Sequence, residues 1–185
     1  MTLSPEEKLA RKRERMIEKA REYQIGTYAR KFVASLFQQV VRAEAAIDPR
    51  PFITAVVDGE ITQVPHEFGF CTCVTCGKSG PWKGNSIGGG VIESGHFIAS
   101  RRMSILFEET GVNPQCKHCN QHLSGNQGCY EIYMRFMYGQ KEIDRLRKLK
   151  NETVSFTRET LVDMRLSYQA RLKEAVQSMT KGEPR

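Results

Sequence analysis

The chain has 185 residues, a net charge of +7 and an isoelectric point near 9.2. That length suits one compact domain, or a small domain with helical extensions, and excludes a large multidomain enzyme. The positive balance favours a polyanionic partner over a basic or neutral ligand.

The charge sits at the two ends. Residues 1–31 hold nine basic and five acidic side chains, residues 141–185 eleven and seven, and the stretch between them eight and nine. No apolar run approaches the ~18 residues of a membrane span, and "MTLSPEEKLARKRERM" is charged where a signal peptide needs an apolar segment. No membrane partner is therefore expected, and the sequence reads as soluble and cytoplasmic. In such a reducing compartment six cysteines, four of them in two CxxC pairs, point to metal rather than to disulfides.

In chain order, Ser4, Pro5 and Glu7 mark a helix start, with serine as N-cap, proline at the first helical position and glutamate three residues after the cap. A basic helix follows. Phe32, Val33, Leu36, Phe37, Val40 and Val41 recur at steps of three and four, a core-facing stripe that Pro49 and Pro51 end. "FITAVVDGEITQV" reads as two strands around the turn dipeptide Asp58-Gly59, with no function attached. From residue 71 to 126 the composition turns to Gly, Cys, Ser and His, and "SIGGGVIESGHFIAS" predicts short strands broken by glycines. "CYEIYMRFMYG" predicts a helix closed by Gly139, and "QKEIDRLRKLK" continues helical. Thr157 caps a last helix with Leu161, Met164, Tyr168, Leu172 and Val176 on one face.

Cys73, Cys76, Cys116 and Cys119 can surround one structural Zn²⁺ tetrahedrally, because each CxxC turn brings two sulfurs to the same ion. Binding of this kind contributes roughly 10–16 kcal/mol in small zinc peptides, enough to order a segment that cannot build a core. A redox dithiol or unpaired core cysteines is the alternative. Cys71 could replace Cys73 as a ligand, although its spacing fits less well, and Cys129 reads as a small apolar residue on the following helix. Between the two knuckles lies His96, and straight after the second comes Asn120, expected at the start of a helix. Arg101 or Arg102 could clamp a phosphate through a guanidinium fork. His122 and Asn126 could add a ligand or a phosphate contact, His118 reads as a surface residue, and His66 as structural.

The stretches "CVTCG", "ESGHFIASR" and "NPQCKHCNQHLSGN" resemble the phage NinG/Rap recombination endonucleases, within the HNH or ββα-metal nuclease superfamily and its endonuclease VII-like members. The resemblance is specific over residues 71–128 and extends loosely to about residue 175. It implies an α+β fold with a zinc-braced ββα-metal core flanked by N- and C-terminal helices. The matching segments are a basic helical region (1–48), a linker and hairpin (49–70), the HNH core (71–139) and a second basic helical region (140–185). It further implies that His96 is the general base and that Asn120 binds a catalytic Mg²⁺ or Mn²⁺, whose preference for oxygen an amide satisfies. The acidic ligand that usually precedes the base is replaced by Gly95, so Glu93 is nominated in its place. Asn113 is the candidate for the displaced middle asparagine.

Such residues suit phosphodiester hydrolysis: an imidazole activates water while a divalent ion stabilises the pentavalent charge and the leaving oxygen. The implied substrate is branched DNA such as a D-loop or Holliday junction, and the basic flanks would track its phosphates. No side-chain pattern for reading bases is present. The apolar stripe of the N-terminal helices could also support a homodimer. Two other readings stand beside this one: a noncatalytic zinc-ribbon DNA-binding adaptor, and an HNH nickase of linear duplex.

Overall fold

The computed structural model describes residues 3–83, 90–100 and 102–182. Helix α1 (Pro5–Ala20) begins on the predicted capping box, with Glu7 N–H donating to Ser4 Oγ at 3.2 Å and Ser4 N–H to the Glu7 carboxylate at 2.7 Å. Helix α2 (Ile25–Tyr28) runs through a π-helical segment, Ala29–Ala34, into α3 (Ser35–Ala46). Among the described residues three two-stranded antiparallel sheets follow: β1 (Phe52–Val57) with β2 (Glu60–Pro65), β3 (Phe70–Thr72) with β4 (Ser79–Pro81), and β5 (Ile92–His96) with β6 (Val112–Cys116). Asp58 and Gly59 both take positive φ, 51° and 84°, as a two-residue hairpin turn demands. Helices α4 (Gln127–Leu149) and α5 (Arg158–Lys181) complete a mixed α+β fold.

The stripe on α3 is covered within the chain. Val33 of the π-helical segment and Phe37 and Val40 of α3 are fully buried, packed with Leu161, Val162 and Tyr168 of α5 and Ala20 of α1. The face considered for a homodimer is therefore internal packing between the two helical flanks. Lys12 and Arg13 of α1 reach Gln169 and Asp163 of α5 across the same seam. On α5 the inward face differs from the predicted one at its far end: Ala175 is fully buried, whereas Val176 is 39% exposed. The successive steps of four residues from Met164 to Val176 drift off a 3.6-residue period, so that by the last of them the neighbour has rotated inward.

A second core seats α4. Tyr130, Tyr133, Met134, Ile143 and Leu146 pack with Val56 of the first hairpin, Val74 and Phe97. Gly139 leaves helical geometry (φ 78°, ψ 168°), so the first helical stretch of α4 closes there at a kink, as predicted, and helix resumes on the far side. The predicted helix start near Asn120, by contrast, is displaced. Residues His118–His122 form a single π-helical turn, and α4 begins only after Asn126, which takes a left-handed conformation. Part of the glycine-rich run (84–89) lies outside the described residues, and of the expected strands β5 is the one formed after it.

Candidate functional site: a four-cysteine cluster beside a polar cavity

The sulfurs of Cys73, Cys76, Cys116 and Cys119 all lie within 4.8 Å of one another, and those of Cys76 and Cys116 are 3.7 Å apart. A tetrahedron of thiolates at about 2.3 Å from one zinc has edges of about 3.8 Å, so the four cysteines could hold such an ion. Burial pushes the Cys76 and Cys116 thiols up, and a bound cation is what would make them thiolates at neutral pH. Polar hydrogens gather around the sulfurs: Cys119 N–H toward Cys116 Sγ (3.5 Å), Asn126 Nδ2 toward Cys119 Sγ (3.8 Å), and Thr75 Oγ1 3.3 Å from Cys73 Sγ. Cys71 stands apart from this cluster. Its buried thiol donates to Arg42 O at 3.0 Å, and burial pushes it up to about 12. Cys129, half-buried on α4, packs against the second core.

Beside the cluster lies a cavity of about 800 Å³ that His96, Glu93 and Asn120 all line. His96 enters from the end of β5, Asn120 from the π-helical turn after the second knuckle. Both Glu93 carboxylate oxygens accept side-chain amides, from Asn120 Nδ2 at 2.8 Å and Gln121 Nε2 at 2.6 Å. This pairing turns Asn120 Oδ1 away from the carboxylate. The donor set is one carboxylate, one amide oxygen and one imidazole, whose oxygens suit a hard divalent cation.

The strand that carries His96 is fixed from behind. Tyr130 Oη donates to Gly95 O at 2.9 Å and accepts from Asn113 Nδ2 at 3.2 Å, and Asn113 Nδ2 also donates to Thr110 O at 3.0 Å. Asn113 is thus a buried strut opposite Gly95 in the β5–β6 ladder. Fully buried Gln115 donates to Thr75 Oγ1 at 3.0 Å and Gly125 O at 2.8 Å, joining the first knuckle to the loop after the second. The same side chain accounts for Gly95: a Cβ there would come within 1.8 Å of Gln115 Oε1. An acidic residue before His96 has no room, and Glu93 is the carboxylate that reaches the cavity.

One wall of the cavity was not read from the sequence. Arg30, Ala34, Gln38 and Arg42 line it at four-residue steps along the helix that runs from α2 to α3. Gln38 Nε2 lies 3.4 Å from His96 Nε2. Arg42 donates to Trp82 O at 3.1 Å and Ser94 Oγ at 3.4 Å, while Ser94 Oγ donates to Gln38 O at 2.8 Å, so α3 is stitched onto β5. Burial lowers the pKa of Arg42. The i, i+4 spacing alone looks like a solvated helix face, and only the fold brings it over His96.

Other nominated residues lie elsewhere. His122 lines a separate cavity on the opposite side of the π-helical turn, together with His118. Asn126 donates to Thr75 O at 3.1 Å, tying the knuckles together instead of facing the cavity. Arg101 falls outside the described residues, and Arg102 is exposed. Half-buried His66 keeps both ring nitrogens out of solvent, far from this chemistry in role, with its backbone N–H on Pro51 O at 2.9 Å. Several flank cations are committed to ion pairs, among them Arg13 with Asp163, Arg147 with Glu131, and Arg171 with Glu44.

Among the described residues no helix is long and apolar enough to cross a membrane. The family model described as Bacteriophage Lambda NinG protein matches residues 69–178, which include both knuckles, Glu93, His96 and Asn120. Similar proteins include Protein ninG of Escherichia phage 933W, 28% identical over 105 residues that cover 55% of this chain and 47% of the relative. Protein ninG of Escherichia phage lambda is likewise 28% identical, over 55% of this chain and 46% of its own length. The chain spans about half the length of the curated relatives it matches. No solved structure matches. Since the matched segment is more than half of the chain and includes the cysteine cluster, the protein belongs to the NinG family of phage proteins.

Proposed function

We propose that this protein is a metal-dependent DNA endonuclease of the HNH, or ββα-metal, type, which hydrolyses phosphodiesters in branched DNA such as a D-loop or Holliday junction. The observation that carries the reading is the convergence of His96, Glu93 and Asn120 on one cavity beside the four-cysteine cluster. The His96 imidazole takes the proton from the attacking water. Glu93 and Asn120 Oδ1 would hold Mg²⁺ or Mn²⁺, and such an ion would supply charge stabilisation for the phosphate and the leaving oxygen. Arg30, at the rim of the same cavity, faces the phosphate, and the cluster keeps the π-helical turn and the end of β5 in register. The choice of branched DNA rests on the resemblance to recombination endonucleases and on a net charge of +7.

The closed pairing of Glu93 with Asn120 and Gln121 favours a second reading, a noncatalytic zinc-ribbon DNA-binding adaptor. His96→Ala separates the two. Metal content and DNA binding are expected to persist while Mg²⁺- or Mn²⁺-dependent cleavage of a four-way junction disappears. Undiminished cleavage by the variant rejects His96 as the base, and absence of cleavage by the unaltered protein on junction, D-loop and linear duplex alike leaves the adaptor. Equal rates on junction and linear duplex assign a nickase without branch selectivity.

A further inference from the structure

The turn His118–His122 separates two cavities. Asn120 and Gln121 line the larger one, whereas His118 and His122 line a cavity of about 280 Å³ on the other side, together with Lys78 and Lys117. The four side chains come from both knuckles: Lys78 lies two residues after Cys76, and Lys117 directly after Cys116. All four are exposed, and the two rings stand 5.9 Å apart. No carboxylate lines this hollow among the described residues. Two ammonium groups and two imidazoles facing one concave space supply hydrogen-bond donors and positive charge; Cys116 also lines the space, but a thiolate there would be engaged by the ion that the cluster holds. That combination recognises a phosphate.

We propose that Lys78, Lys117, His118 and His122 form a second phosphate cradle, which grips the backbone of the same DNA at a position flanking the cut. The inference rests on the endonuclease reading of the neighbouring cavity and extends it. Because the lysines ride on the knuckles, the cradle is placed by the cysteine cluster, the same device that places Asn120. A strand lying across the His118–His122 turn contacts both hollows at once, so the cradle sets where along the strand the scissile phosphate falls. A rival role for the lysines is to offset the net negative charge of a divalent ion held by four thiolates. Their exposure on a concave surface speaks for an external anion instead.

The test is equilibrium binding to a linear duplex and a four-way junction without added Mg²⁺ or Mn²⁺, between about 50 and 200 mM salt. Lys78→Gln/Lys117→Gln, which keeps side-chain length and polarity, is compared with the unaltered protein and with Lys78→Arg/Lys117→Arg. Loss of one phosphate contact lowers the slope of log K against log salt by about 0.9, equivalent to about eightfold at 0.1 M if the curves meet at 1 M. The arginine pair is expected to restore the slope, and the glutamine pair to retain its metal. An unchanged slope with metal retained overturns the cradle while leaving the endonuclease reading intact. Loss of metal from the glutamine pair assigns the lysines to the cluster and overturns it too. If the unaltered protein binds no DNA at any salt, the cradle falls together with the proposed function.

Discussion

Tyr130 Oη donates to Gly95 O at 2.9 Å, so a helix 35 residues downstream sets the backbone carbonyl immediately before His96. The phenol is fully buried, and burial holds its pKa far above the usual tyrosine range, so it remains a donor at every working pH. Tyr130→Phe removes the phenol's hydrogen bond to the Gly95 carbonyl and takes one acceptor from the Asn113 amide. The expected cost is about 1–3 kcal/mol in denaturant unfolding. Cleavage should fall further than the loss of folded protein explains, because the end of β5 is no longer pinned. A variant as active per folded molecule as the parent argues against Tyr130 positioning His96.

Restoring a carboxylate at the customary place should fail. In Gly95→Asp the new Cβ meets Gln115 Oε1 at 1.8 Å, and Gln115 is held by Thr75 and Gly125. Overpacking of a fully buried amide is expected to cost about 3 kcal/mol and to loosen the link between the knuckles. Higher divalent-ion affinity together with an unchanged melting temperature contradicts the proposed role of Gly95.

Metal removal should act locally before it acts globally. Cys73, Cys76, Cys116 and Cys119 lie in a small cluster with Ile92 and Ala46, whereas α1, α3 and α5 share their own core. Chelation, or Cys76→Ser, is expected to expose amides of β6 and the His118–His122 turn to hydrogen exchange while those of α3 stay protected. Uniform loss of protection along the chain means that the helical core depends on the ion as well.

What the sequence disclosed follows from the range of each interaction. The Ser4–Glu7 capping box, the Thr157 cap and the Asp58-Gly59 turn are set by neighbours within three residues, and each appears as read. The CxxC pairs were legible because two sulfurs on one turn advertise a shared ion across any intervening length. Gln38 was not legible: it lies 58 residues from His96, on a helix face whose composition resembles a solvated one. Nor was the π-helical turn. By delaying α4 to Gln127, it presents Asn120 to one cavity and His122 to another, where an α-helix begun at Asn120 suggested a single ligand set.

His66 gives the fold an acid sensitivity independent of the cysteines. Its ring nitrogens are buried, and that burial outweighs the nearby Asp48 and lowers its pKa below the usual 6.5. As pH falls through about 6.5 the unfolded chain takes up the proton before the folded one, so stability is full above about pH 7 and declines below it. His66→Gln should flatten the difference in melting temperature between pH 7.5 and 5.5, conditions spanning about two units around that value. An equal decline in both proteins places the sensitivity elsewhere.

The last prediction concerns Gln38, which comes from outside the segment matched by the NinG family model yet sits 3.4 Å from His96 Nε2. In the proposed reaction a neutral amide there adds no charge beside the imidazole that is to accept the water's proton, whereas a carboxylate in its place would favour the imidazolium, which cannot accept it. In Gln38→Glu the acid limb of the Mg²⁺-dependent cleavage profile should move to higher pH by about one unit, with the rate recovering in alkaline solution. Gln38→Ala removes the contact without adding charge, so its limb should stay near that of the parent while the maximum rate falls. A Gln38→Glu profile that overlays the parent's, with folding intact, separates Gln38 from the proton chemistry and leaves α3 as a wall of the cavity only.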